Sequence, residues 1–215
     1  MIPHTSLYWN VIAPICRHVI GRHWGFEVGR KAYMDGRAAY AKLLAEAPDL
    51  GEGNPMVHTF QQSMVFVALW QAAEGALTPD DMQLVTKEVL GLKPLAVVGM
   101  LKDANRDESV LQGIVDGMRA NEAWAQEHEG GYQSAWRVSF DDTKHADGVY
   151  YEFTRCPIAE YLHDLGIDEI TPVLCDIDHL TTALIHARLL REHTLAGGGP
   201  TCDYWIVGDA VADPR

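Results

Sequence analysis

The amino-acid sequence predicts an α+β protein, in which a helical N-terminal half packs on a C-terminal antiparallel sheet of about four strands. Long proline-free stretches with helical periodicity lie within residues 30–130. After Ser134 the spacing of the apolar residues changes from about 3.6 to about 2, which is typical of strands. We expect one domain over residues 1–215, with a mainly helical part at 1–130 and a sheet-plus-helix part at 131–215.

Four helices account for most of the N-terminal half. Residues 30–47 and 56–73 contain no proline, and the turn-rich sequence PDLGEGNP lies between them. Thr78, followed by a proline and two aspartates, provides an N-cap, a preset first turn and a favourable charge for a third helix that extends to about Leu90. The fourth helix covers about 108–128, and EGGYQ closes it.

Two pairs of strands follow. Residues 136–140 and 149–154 alternate between two faces on either side of the turn DDTKHADG, as a hairpin does. A second pair is predicted at residues 188–196 and 202–208, around the loop GGGPT. A short helix near residues 157–165 lies between the two pairs.

A further helix begins at Thr171 and Pro172 and carries an unusual amount of reactive chemistry. Five apolar residues recur at helical spacing and are expected to face the core: Val173, Ile177, Leu180, Leu184 and Ala187. The reactive residues fall on the other side: Cys175, Asp178, His179, Thr182 and His186. A polar face opposite an apolar stripe is also what an ordinary solvent-exposed helix shows.

Cys175 favours a functional interpretation of this helix. Thiols are rarely found on an open surface. In the first turn, the thiol would feel the positive end of the helix dipole, which favours the reactive thiolate. Asp178 and His179, three and four residues later, could orient this group or exchange its proton.

Two further cysteines are expected to approach Cys175. Cys202 opens the last predicted strand, and Cys156 lies at the end of another. A single cysteine in a strand is often only a small core residue. Three thiols on elements that adjoin one another indicate a shared site.

The run TRCPIAEYLHDLGIDEITPVLCDIDHL, followed by REHTLAGGGPTCDYWIVGD, resembles the C-terminal signature of the L-2-amino-thiazoline-4-carboxylic acid hydrolase family. Upstream, APDLGEGNPMVHTFQQSMVFVALWQAAEGALTPDD resembles the family's loop-plus-helix region, except that Gly51-Glu52-Gly53 stands where two adjacent glycines are expected. The likeness covers about residues 30–208. Its landmarks are Arg155-Cys156-Pro157, Cys175-x-x-Asp178, Thr194, a glycine-containing turn and Cys202-Asp203.

This resemblance implies hydrolysis of a small cyclic amidine-like or isothiourea-like ring, in the named case the opening of 2-aminothiazoline-4-carboxylate toward a carbamoyl-cysteine. Such a reaction requires attack at an sp² carbon and proton delivery to the leaving atom. The hypothesis is covalent catalysis without a cofactor. The thiolate of Cys175 or Cys202 attacks, Cys156 is its partner, and Asp178 anchors the amidine and shuttles protons.

Other residues are expected to contact the substrate. The guanidinium of Arg155 or Arg137 could hold a substrate carboxylate as a bidentate fork. The remaining candidates lie beside the cysteines or in the upstream loop: His179, His193, Thr194, Asp203, Asn54 and His58.

Three alternatives stay open. Cys156, Cys175 and Cys202 with His179 or Asp178 could bind zinc, which would then activate water. Two thiols and a carboxylate also resemble the alkylmercury lyase arrangement, which cleaves carbon from mercury. The third alternative is a non-enzymatic small-molecule-binding domain that resembles the four-vinyl-reductase type.

Composition narrows the class of partner. The net charge of −13 and the lack of a basic cluster argue against nucleic acid. The N-terminus fits neither a signal peptide nor a membrane span. We therefore expect a cytoplasmic protein with four free thiols and a small-molecule substrate, and the sequence leaves a homo-oligomer open.

Overall fold

A computed structural model describes residues 6–91, 102–132 and 134–212. Within these ranges, seven α-helices and four strands form the architecture, which confirms the predicted α+β class. The helices are Ser6–Trp24 (α1), Phe26–Glu46 (α2), Val57–Ala72 (α3), Pro79–Leu90 (α4), Ser109–Glu127 (α5), Pro157–Asp164 (α6) and Thr171–Ala183 (α7). The strands are Arg137–Phe140 (β1), Val149–Arg155 (β2), Ala187–Leu190 (β3) and Cys202–Gly208 (β4).

Helix α3 is the centre of the helical part. Phe60, Met64 and Leu69 are fully buried, and nearly the whole length of the helix is apolar. A helix that is apolar on all sides needs neighbours around it. α2 packs along α3, and α1 packs against both. None of the helices in the described ranges is long and apolar enough to span a membrane.

The start of α4 confirms the predicted cap. The Thr78 hydroxyl accepts a hydrogen bond from the Asp81 backbone N–H at 3.2 Å, and the Asp81 carboxylate accepts one from the Thr78 N–H at 2.8 Å. This reciprocal pair satisfies two N–H groups that the first turn leaves free.

The sheet has the strand order β1-β2-β4-β3, and every neighbouring pair is antiparallel. Both predicted strand pairs form. β3, however, ends at Leu190 and not at residue 196. The backbone N–H groups of Glu192 and His193 donate to the buried carboxylate of Asp203, so they are not available to continue the ladder.

Alternation along β2 and β4 divides the sheet into two faces. Tyr151, Phe153 and Cys202 lie on the inner face, within the main core that the helices cover. Tyr150 and Trp205 belong to a separate small cluster on the outer face. The inner face therefore brings residues of the strands toward α7, which packs against β3.

Gly148, immediately before β2, leaves no room for a side chain between its backbone and β4. Its φ is 77°, and a Cβ there would lie 2.2 Å from the Ile206 carbonyl oxygen. Gly148→Ala is expected to lower the free energy of unfolding by about 3 kcal/mol, from backbone strain and overpacking together. Gly75→Ala is the matched control, since Gly75 has a φ of 80° but nothing within 4 Å of such a Cβ. We expect a loss of about 1 kcal/mol there, and equal losses in urea unfolding would contradict the prediction.

Candidate functional site

Four polar residues of α7 lie on a partly enclosed face of the helix. Thr171, Cys175, Asp178 and Thr182 follow one another at spacings of four, three and four, and both threonines are buried. α4, α6 and β3 all pack against this helix. The alternative of a plain solvent-exposed face therefore does not hold for these four residues.

The predicted start of this helix at Thr171 is confirmed, and a 3-10 turn over Asp168–Ile170 precedes it. The predicted extent is wrong at the other end. The helix ends at Ala183, and His186 takes up the left-handed turn, with a φ of 56°, that leads into β3, so Ala187 is a strand residue. The buried Thr171 hydroxyl has no hydrogen-bond partner in the described part of the chain.

Cys175 is consequently the fifth residue of α7 and lies beyond its first turn. Burial raises the pKa of the Cys175 thiol, and the nearby Cys156 and Asp178 raise it further, whereas Arg191 lowers it. The thiol is thus protonated at neutral pH. The prediction that the helix dipole would favour a thiolate here is wrong, because desolvation dominates.

Asp178 is held on one side by two residues that the sequence analysis missed. Its Oδ2 accepts a hydrogen bond from the Tyr204 hydroxyl at 2.5 Å and an ion-paired bond from Arg191 Nη1 at 3.2 Å. Arg191, whose side chain is only 5% exposed, also donates from Nη2 to the Cys175 carbonyl at 2.7 Å. Oδ1 of Asp178 has no hydrogen bond within the described residues, and the side chain is 37% exposed.

The charge on Asp178 reflects opposing effects. Desolvation raises the pKa of this carboxyl, while the hydrogen bond from Tyr204 and the charge of Arg191 lower it. The net direction is upward. Burial also raises the pKa of Tyr204 well above its usual value, so Tyr204 stays protonated and remains a donor.

Aromatic rings of the inner sheet face line this group. Tyr204 stacks on Tyr151 with ring centroids 5.0 Å apart, and Phe153 meets both rings edge-on. The Arg191 guanidinium lies 5.2 Å from the centroid of Tyr204. These contacts fix the position of the Tyr204 hydroxyl and therefore of the Asp178 carboxylate.

The other two predicted thiols lie in the same neighbourhood. Cys202, on the inner face opposite Phe153, accepts a hydrogen bond from the Leu195 N–H at 3.1 Å through Sγ. Cys156 immediately precedes α6. Burial raises the pKa of Cys156 to about 12, with further upward contributions from Cys202 and Asp178. Cys202 thus raises the pKa of both Cys156 and Cys175, Cys156 raises that of Cys175, and Asp178 raises the pKa of all three thiols.

These donors do not form a ligand shell. Over residues 6–91, 102–132 and 134–212, no group of three or more His, Cys, Asp or Glu side chains is arranged to hold a metal ion. The zinc alternative requires Cys156, Cys175 and Cys202 around one ion, together with His179 or Asp178.

Both predicted carboxylate-binding arginines are already paired. Arg155 donates from Nε and Nη2 to Glu160, at 2.9 and 3.0 Å. Arg137 donates to Glu122 and to Glu129. In both cases, acidic residues of the chain itself occupy the guanidinium fork.

Four predicted substrate contacts have structural partners or lie apart from the cysteines. Asn54 is buried, and its amide bonds the Leu50 carbonyl and the Met56 N–H, which shapes the loop before α3. His58 is exposed in the first turn of α3. The Thr194 hydroxyl accepts from the Gly197 N–H at 3.0 Å. His179 lies next to Asp178 with its surface largely open to solvent, and partial desolvation of its ring and the charge of Arg191 lower its pKa.

Asp203 and His193 shape the loop that follows β3. The Asp203 carboxylate accepts from the backbone N–H groups of Glu192 and His193, and the His193 ring bonds the Thr201 hydroxyl at 2.9 Å. This loop carries Arg191 at its start and Leu195, which bonds Cys202. Asp203 therefore acts on the site through the shape of the loop.

Asp203→Ala is expected to lower the free energy of unfolding by about 2 kcal/mol, because it leaves two partly buried N–H groups without their charged acceptor. Asp164→Ala, at the exposed end of α6, is the control and should change stability by less than about 0.5 kcal/mol. Urea unfolding of both variants measures the difference. Equal stability of the two variants would show that the loop is held by other contacts.

Comparison with known proteins identifies one family. The family model for L-2-amino-thiazoline-4-carboxylic acid hydrolase matches residues 58–206, a range that includes Cys156, Cys175, Asp178 and Cys202. Searches of curated proteins and of solved structures gave no match.

Proposed function

Because the chain belongs to the L-2-amino-thiazoline-4-carboxylic acid hydrolase family, we propose that it opens a small cyclic amidine-like or isothiourea-like ring by cysteine-based covalent catalysis. The substrate class is that of 2-aminothiazoline-4-carboxylate. One observation carries the proposal: Asp178 has one oxygen fixed by Arg191 and Tyr204 and the other free, and the Cys175 thiol lies one helical turn away.

Asp178 is the anchor for the substrate. The ring carbon of a cyclic isothiourea is bonded to two nitrogens that carry N–H groups. When the isothiourea is protonated, these N–H groups donate to a carboxylate. Oδ1 is free to accept them, while Arg191 and Tyr204 keep the carboxylate from rotating. Binding through Oδ1 places the carbon between nitrogen and sulfur near α7.

Cys175 is the nucleophile that fits this arrangement best. Its sulfur has no hydrogen-bond partner among the described residues and is half-buried, whereas the Cys202 sulfur is buried and accepts the Leu195 N–H. As sulfur attacks the ring carbon, the thiol proton passes to Asp178, and an S–C bond forms. The ring C–S bond then breaks, and Asp178 returns the proton to the departing ring sulfur.

Water completes the reaction. It adds to the carbon of the S-linked intermediate, the bond to Cys175 breaks, and one proton of water restores the thiol. The other proton moves to nitrogen as the C=O bond forms, so the sum is substrate plus one water. For 2-aminothiazoline-4-carboxylate the product is a carbamoyl-cysteine with a free thiol.

Mass spectrometry of a reaction with 2-aminothiazoline-4-carboxylate tests the proposal. We expect a product heavier by one water, a new titratable thiol, and a covalent adduct on the intact protein after an acid quench. Binding of the substrate without any mass change would favour a binding domain. Turnover that is lost with a chelator and restored by zinc would favour the zinc alternative, and release of methane from methylmercury without ring opening would favour the lyase alternative.

A further inference from the structure

A cavity of about 530 Å³ lies between α1 and α2, and none of Cys156, Cys175 and Cys202 lines it. Its lining includes Pro14, Arg17, His18, Phe26 and Tyr33. The volume is within the range of about 300–1,000 Å³ that is usual for small-molecule pockets. All of these residues precede the range that the family model matches, so the cavity is a feature of this chain and does not depend on the proposed ring chemistry.

The Arg17 guanidinium is fixed at this cavity but is not neutralised. Its Cζ lies 5.8 Å from the ring centroid of Phe26 and 5.4 Å from that of Tyr33, within cation–π range. In the described part of the chain it makes no ion pair. By contrast, Arg22 pairs with Glu88, and Arg30 pairs with Glu27.

The backbone beneath Arg17 is held closely. A Cβ on Gly29 of α2 would lie 2.7 Å from the Arg17 carbonyl oxygen, so α1 and α2 nearly touch at this crossing. The backbone of Arg17 is therefore held firmly, and the two ring contacts orient its guanidinium before a ligand arrives.

The charge around the cavity differs from that of the whole chain. The first 40 residues contain five Lys and Arg residues and two Asp and Glu residues, whereas the chain as a whole contains 17 and 30. The basic residues of α1 and α2 thus favour an anion at this cavity, although Glu88 pairs with Arg22 of the lining and the protein as a whole is strongly acidic. Phe26 is 63% exposed, which leaves an apolar ring available beside the cation.

We propose that this α1–α2 cavity binds a small aromatic carboxylate. The carboxylate pairs with the N–H edge of Arg17 that the two rings leave free, and the apolar body of the ligand covers Phe26 and Pro14. Charge selects the anion, and the apolar wall selects an aromatic ligand over an inorganic one.

Titration of the full chain with benzoate, followed by NMR, tests the proposal. We expect saturable shifts in α1 and α2, and dissociation constants at least about tenfold weaker for benzamide and for inorganic phosphate. Arg17→Gln should weaken benzoate binding at least about tenfold, and Arg30→Gln, which removes an arginine outside the cavity lining, less than about twofold. Phe26→Ala should weaken benzoate binding without affecting the weak binding of phosphate.

Three results would overturn the assignment: no saturation of the wild type with benzoate at up to about 20 mM, equal binding of benzoate and benzamide, or equal loss in the Arg17 and Arg30 variants. The melting temperature of each variant shows whether it is folded. Since neither benzoate nor these variants involve Cys175, failure here leaves the ring-opening proposal untouched, and the reverse also holds.

Discussion

Cys175→Ser should lower kcat on a confirmed ring substrate by about a thousandfold or more, because a serine hydroxyl is a far weaker nucleophile than a thiol that is deprotonated as it attacks. The substitution changes one atom and leaves the helix face intact. The melting temperature should consequently change little, and the adduct on the intact protein should disappear. Steady-state kinetics and intact-protein mass spectrometry measure the two effects.

The remaining cysteines provide the controls for this prediction. Cys16→Ala removes a thiol in the core of α1, so it should lower stability and leave kcat unchanged. Cys156→Ser and Cys202→Ser alter the surroundings of Cys175 and should reduce kcat less than Cys175→Ser does. An adduct that maps to Cys202, or a Cys175→Ser enzyme with full turnover, would contradict the assignment of the nucleophile.

The helices α2 to α5 were predictable because their signals are local, whereas α1, which contains Pro14, was not predicted. The cap at Thr78 and the apolar length of α3 lie within the segments that they specify. The end of β3 was not predictable from the sequence. It depends on the Asp203 carboxylate, which accepts hydrogen bonds from the N–H groups of residues that would otherwise continue the strand. A contact that spans about ten positions leaves no periodic signal in the strand itself.

The sequence indicated the reactive residues of the candidate site but not the residues that hold them in place. The residue types and the spacing of Cys175 and Asp178 indicated chemistry, but Arg191 and Tyr204 were missed. Alternation could have identified Tyr204, since it lies two residues after Cys202 and so shares its face. Arg191, by the same rule, continues the inner face after Leu189 of β3.

The two predicted substrate arginines have partners that the sequence did not indicate. Arg155 and Arg137 were suggested by the fork shape of the guanidinium, and the sequence could not show that Glu160 and Glu122 would pair with them. Glu160 lies in α6, immediately after β2, so its distance from Arg155 depends on the angle between a strand and a helix. This angle is set by packing and not by sequence spacing.

Asp178→Asn should lower kcat/KM by about 100- to 10,000-fold, the range expected when a positioned general base is lost. The amide keeps the size of the side chain but cannot take the proton of Cys175. It also leaves the charge of the buried Arg191 without its partner, so the melting temperature should fall as well. Asp176→Asn is the matched control on the same helix, since Asp176 contacts Gln83 of α4 and should leave kcat/KM within about twofold of the wild type.

The pH dependence separates the catalytic effect of Asp178 from its structural effect. The anchor and base must be ionised, and desolvation raises the pKa of Asp178 above the usual carboxyl value. Wild-type kcat/KM should therefore rise with pH through a pKa that lies above this value. This rise of kcat/KM with pH should be absent in Asp178→Asn, because the amide does not titrate. It should be unchanged in Asp176→Asn. If Asp178→Asn loses stability but its kcat/KM still rises with pH in the same way, Asp178 only supports the fold. The carboxylate that takes part in the chemistry would then have to be sought elsewhere on the inner face of the sheet.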